Sequence, residues 1–222
     1  MGSETRGTHT ESPPQRSPRT SPRWEGPAAA LGGLLWFLYY AVDVWAGLQT
    51  GQVASSDLNA TPLSWLGFSS FGGGLLFLDF ALVGLPLRLQ GRARWPARGA
   101  LVLAALALTA STLYSLLLSG LTGSVRLVQE FGAIGVLSSC VSATFLGIAM
   151  GREATLPRPA STLLRSFGGL MVALLILSNF HGPFPAYAMD GLPFGIAGLV
   201  WIFLGSVLWR TPPVFRAPAA AD

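Results

Sequence analysis

Two aspartates interrupt apolar runs in which nothing else carries a charge: Asp43 within Leu34 to Leu48, and Asp79 within Gly72 to Leu87. A carboxylate at the centre of a membrane-crossing helix costs roughly 2.5–3.5 kcal/mol on insertion scales, and groups kept at that cost commonly bind ions, relay protons or face a polar solute. Tyr39 and Tyr40 precede Asp43 by four and three residues, so a helix sets both phenols near the carboxylate. Further chemistry sits at the ends of other apolar runs, in Glu130, His181 and Asp190. The segment Asn179-Phe-His-Gly-Pro-Phe-Pro-Ala-Tyr187 is stiffened by two prolines and holds His181 near Asp190, where an imidazole titrating near neutral pH has a carboxylate to pair with. These residues are expected to form one polar site for a cation, a proton or an amine-bearing solute, centred on Asp43. Asp79 is expected to be a structural ion pair with Arg165.

The absences narrow the chemistry. Only His9 and His181 are present, which leaves no bis-histidine haem ligation and no histidine-rich metal site. All fourteen basic residues are arginine, so no lysine is available for a Schiff base or a nucleotide-binding Gly-rich loop. Gly135-Val-Leu-Ser138-Ser139-Cys140 lacks the Gly-x-Ser-x-Gly turn of a serine nucleophile. The lone Cys140 has no intramolecular disulfide partner. No cofactor and no metal are expected, and nothing supports nucleic-acid binding. A lipid-modifying enzyme with His181 as base and Asp190 as its orienting group is the weakest reading, because neither a nucleophile nor a set of metal ligands accompanies them.

The elements that must position these groups follow from composition. Hydrophobic residues make up 51% of the 222 and charged residues 11%, against roughly 25% charged in an ordinary soluble domain. Six apolar stretches, at 28–48, 64–87, 100–121, 128–150, 163–182 and 191–209, each approach the roughly 20 residues that cross about 30 Å of hydrocarbon as a helix. The fold expected is therefore an all-α membrane protein, a six-helix bundle over 27–211, with a polar, disordered tail over 1–26 and a short tail over 212–222.

The arginines then set direction. Threading the stretches in turn leaves thirteen arginines on one side and only Arg126 on the other. The positive-inside rule thus puts both termini in the cytoplasm, as in a multi-pass protein of a bacterial cytoplasmic membrane. Counted along the helices at about 1.5 Å per residue, Asp43 should lie about 22 Å from that face and Asp79 about 10 Å.

Close packing in lipid relies on small and hydroxyl-bearing residues. Gly191, Gly195, Gly198 and Gly205 form one stripe, and Gly132, Gly135, Ser139 and Ser142 form another; both are expected to be packing faces. Ser111, Ser115 and Ser119 recur at spacing four and can bond back to carbonyls of their own helix. Ser70-Phe-Gly-Gly73 and Ser166-Phe-Gly-Gly169 repeat at an offset of 96 residues, the mark of a possible inverted three-helix repeat. Expected partners are the lipid bilayer and either a second copy or a partner membrane subunit. The function expected is a small transporter or permease-like protein. The alternative from another class is a non-catalytic subunit or scaffold whose glycine and serine faces bind partner helices.

Overall fold

The computed structural model describes residues 24–51, 62–87, 89, 93–121, 125–180 and 184–210. Both expected tails, apart from the last residues of the first, lie outside them, as does His181. Every regular element among the described residues is a helix: α1 (Glu25–Thr50), α2 (Pro62–Leu87), α3 (Arg94–Leu116) continued by a π-helical turn (Leu117–Leu121), α4 (Val125–Glu153), α5 (Arg158–Ser178), the short α6 (Ala186–Met189) and α7 (Leu192–Arg210). Six spans are long and apolar enough to cross a membrane, and they coincide with the six stretches read from sequence.

Proline and glycine set the ends. Pro96 and Pro159 sit in the first turns of α3 and α5, where a missing N–H leaves no hydrogen bond unmade. They open these helices, so α5 begins at Arg158, five residues before the apolar stretch does. Gly51 closes α1 in the left-handed conformation at φ 72°, its N–H donating to the Gly47 carbonyl. Pro185 leads into α6, a single turn within the proline-stiffened connection.

Consecutive spans pack side by side, and α7 returns to both α1 and α5, closing a ring of six with α2 and α4 also touching across it. Glycine positions give the register of each seam. A Cβ at Gly26 would meet Trp209, one at Gly33 would meet the Gly198 carbonyl, and one at Gly47 would meet Tyr187. The start of α1 therefore lies beside the end of α7, so the two helices are antiparallel and the described chain begins and ends at the same end of the bundle. The glycines of α7 face this seam: Gly191 and Gly195 against Tyr40, Gly198 against the Gly33 carbonyl, and Gly205 against Ala30 and the Gly26 carbonyl. Backbones approach closely at Gly198 and Gly205, while the Tyr40 side chain occupies the space at Gly191 and Gly195.

The other seams use the same device with different partners. Gly32 and Gly74 admit Leu78 and Trp36 between α1 and α2. Gly132 lies against Tyr114 and Phe71, Gly135 against Ser111 and Leu75, and Ser142 donates to the Ala100 carbonyl at 2.8 Å, so that face of α4 meets α2 and α3. Gly147 and Gly168 bring α4 and α5 together, the Gly168 N–H donating to Thr144 Oγ1 at 3.2 Å. The two Ser-Phe-Gly-Gly segments do not occupy equivalent seams: Gly72 packs on Tyr114 of the following helix, Gly168 on Cys140 and Thr144 of the preceding one.

Replacing Gly198 by leucine is expected to reduce the yield of monodisperse protein and its melting temperature, because its Cβ would sit 2.5 Å from the Gly33 carbonyl oxygen. Overpacking of this kind typically costs about 1–3 kcal/mol. Gly169, whose Cβ would meet nothing within 4 Å, should accept alanine with little change in either quantity.

Candidate functional site

Asp79 is wholly buried in α2. Its Oδ2 accepts a hydrogen bond from the Ser111 hydroxyl of α3 and its Oδ1 one from the Ser139 hydroxyl of α4. Both serines also lie against the carbonyls one turn earlier in their own helices, Ser111 Oγ at 2.9 Å from the Ala107 oxygen and Ser139 Oγ at 2.8 Å from the Gly135 oxygen. Gly135 makes this possible by letting Ser111 approach α4, since a Cβ there would stand 3.1 Å from Ser111 Oγ.

Counting along its own helix placed Asp79 toward the end carrying the termini, and Gly32, seven residues into α1, lies against the adjacent Leu78; its α4 partner Ser139 is the midpoint of that 29-residue helix. The expected ion pair with Arg165 is not formed. The Arg165 side chain is exposed, and its backbone is pressed against Gly147 on α4. Charge complementarity suggested the arginine, but helix rotation aims α3 and α4 hydroxyls at Asp79 instead.

Asp43 is also wholly buried, in the half of α1 far from the termini. It lies at the junction with α7, where a Cβ on Gly191 would come within 3.4 Å of Asp43 Oδ2. Tyr40 fills the space left by Gly191 and Gly195, while Tyr187 of α6 lies against Gly47 one turn beyond. The two aspartates occupy separate places. Gly32 lies against Leu78, the neighbour of Asp79, and Asp43 is eleven residues, or about 16 Å, farther along α1.

Between the aspartates lies a cluster of five rings. Phe71 of α2 is its hub, with centroids 5.3 Å from Tyr39, 5.4 Å from Tyr114, 5.1 Å from Phe194 and 6.4 Å from Trp36. Phe194 completes it at 5.4 Å from Trp36 and 5.6 Å from Tyr39, mostly in the edge-to-face geometry that rings prefer. Trp36 is fully buried, and its indole N–H has no hydrogen-bond partner. The cluster joins α1, α2, α3 and α7, which are distant in sequence; aromatic composition alone gave no sign of it.

Of the remaining expected site residues, Asp190 directly precedes Gly191, which lies against Asp43 and Tyr40, while Glu130 stands apart. Glu130 is on the exposed side of α4 and pairs with Arg126 one turn earlier at 2.8 Å. That pairing gives the one arginine among the described residues at its end of the bundle a local partner, and Glu130 faces away from the interior. Asp190 is exposed at the loop between α6 and α7, its N–H donating to the Ala186 carbonyl at 2.9 Å. Of the expected polar site, the structure thus brings Asp43 together with Tyr40 and the start of α7, and sets Tyr39 in the ring cluster. Ser111 and Ser139, first read as a back-bonded stripe and a packing face, are the residues that reach a buried carboxylate.

Among the described residues, no group of three His, Cys, Asp or Glu side chains converges as metal ligands would. No family model, no curated protein and no solved structure matches the chain.

Removing either hydroxyl, by Ser111→Ala or Ser139→Ala, leaves one Asp79 oxygen without its partner and is expected to destabilise the bundle by about 1–3 kcal/mol. Ser115→Ala should be nearly neutral, because that hydroxyl donates only to the Ser111 carbonyl of its own helix. Thermal unfolding of the three variants in one detergent tests the contrast.

Proposed function

We propose that this chain is a small transporter or permease-like protein of a bacterial cytoplasmic membrane, moving a cation, a proton or an amine-bearing solute, with both termini in the cytoplasm. The observation that carries the reading is Asp43, a carboxylate without exposed surface in an apolar helix, set where α1 meets the glycine-lined start of α7. Tyr40 beside it, and Tyr39 in the adjoining ring cluster, offer phenol oxygens and π faces, both of which suit a cationic group. A glycine seam is also a place where two helices can part without dragging interlocked side chains, which is what access to Asp43 would require.

The orientation rests on the arginines, thirteen of which fall on one side when the six stretches are threaded in turn, the side that carries both termini. In a Cys140→Ser background, a membrane-impermeant maleimide added to intact cells should label Gln49→Cys but label Arg210→Cys only after permeabilisation. The opposite pattern would reverse the orientation.

A flux assay in liposomes, screening protons, alkali cations and small amines, tests the transport reading. Asp43→Asn is expected to lower the rate at least tenfold and to abolish its pH dependence. A demonstrated flux that this variant leaves unchanged would remove Asp43 from the path. A second reading, a non-catalytic membrane subunit, draws support from seams so closed at Gly33, Gly198 and Gly205 that backbones nearly touch. Copurification of a stoichiometric partner from the native membrane, with no flux for any ion or solute screened, would favour it.

A further inference from the structure

The hydrogen bonds around Asp79 do not balance when the carboxyl carries no proton. Ser111 Oγ and Ser139 Oγ each lie at hydrogen-bond length from two acceptors, a carboxylate oxygen of Asp79 and the carbonyl one turn earlier. A hydroxyl has one proton to give. An ionised Asp79 therefore leaves four oxygen-to-oxygen contacts served by two protons, and two pairs of lone pairs face each other inside a bundle where unmet polar contacts are costly.

One added proton serves one of the two contacts left over. With the carboxyl protonated on Oδ1, that O–H donates to Ser139 Oγ, and the Ser139 hydroxyl is released to donate to the Gly135 carbonyl. The Ser111 hydroxyl donates to Oδ2. Only the contact with the Ala107 carbonyl is then left without a hydroxyl proton, and that oxygen sits in a helical ladder that already supplies it an N–H. The same closeness argues against a metal ion, since oxygens already in hydrogen-bond contact leave no space for a cation among them.

We propose that Asp79, Ser111 and Ser139 form a proton-binding site in the interior of the bundle, in which the carboxyl takes up and releases one proton while the Ser139 hydroxyl switches its donation between Asp79 Oδ1 and the Gly135 carbonyl. The site is separate from Asp43 and does not depend on the transport reading. The groups facing it from each packed helix are few. On α4 the Cys140 thiol follows Ser139, and on α3 Tyr114 lies one turn from Ser111. On α1 Gly32, which lies against the adjacent Leu78, does not titrate, and among the described residues no arginine pairs with Asp79.

Infrared difference spectroscopy of the purified full-length chain in lipid nanodiscs, between acid and alkaline pH, tests the site. The expected result is a carboxylic-acid carbonyl band from a water-shielded group that disappears in Asp79→Asn and shifts in frequency in both Ser111→Ala and Ser139→Ala, while Ser115→Ala leaves it in place. A difference spectrum that Asp79→Asn does not alter overturns the proposal. If Asp79→Asn does not fold, the two serine variants decide, and a band unmoved in both overturns it. Sodium or lithium chloride added at constant pH should leave the band unchanged; if either salt removes it as alkali does, the site binds a metal cation instead and the proposal fails.

Discussion

Backbone-to-backbone approach at glycine is the constraint on which this architecture depends. A helix whose outer face is as apolar as its inner one gains nothing in lipid by hiding one against the other, so tight contact and hydrogen bonding must hold the bundle together. Between α1 and α7 the glycines of both helices alternate along a single seam, Gly26 with Gly205 and Gly33 with Gly198, and each lets the opposing main chain within reach of its own. The seam closes the ring of helices. It also decides what stands at its far end, where the shallow surface at Gly191 and Gly195 gives Tyr40 and Asp43 room to lie against α7.

The second organising interaction is the pair of hydroxyls on Asp79. A carboxylate cut off from water must be met by donors, and here the donors come from two different helices. This fixes the rotation of α3 and of α4 about their axes more strictly than apolar contact alone, because a turn of either helix would withdraw its hydroxyl. The ring cluster around Phe71 performs a similar service nearer Asp43, binding four helices through edge-to-face contacts. The polar and aromatic centres thus adjoin, with Tyr114 one turn from Ser111 on the same helix and Phe71 two turns from Asp79 on α2.

Much of this was legible in the sequence because it depends on axial position. The six spans follow from runs of apolar residues, and the depth of Asp43 follows from counting along α1. The stripe on α7 announces a face where something comes close. Its partner is not announced, because small residues state only that a backbone approaches, never whose. Arg126 and Glu130 could be paired from sequence, as neighbours on one helix at spacing four.

Asp79 marks the limit of that reasoning. Its neighbours are 32 and 60 residues away in the chain, one from a serine stripe with an adequate local explanation and one from a face whose role was packing. Length and polarity determine by themselves that this chain forms six long apolar helices, roughly where along the chain each lies, and which positions must be crowded. Only the tertiary structure decides which helices are neighbours and how each is turned. Those two quantities set the partners of a buried carboxylate, since a side chain meets another across a seam only when both rotation and relative height agree.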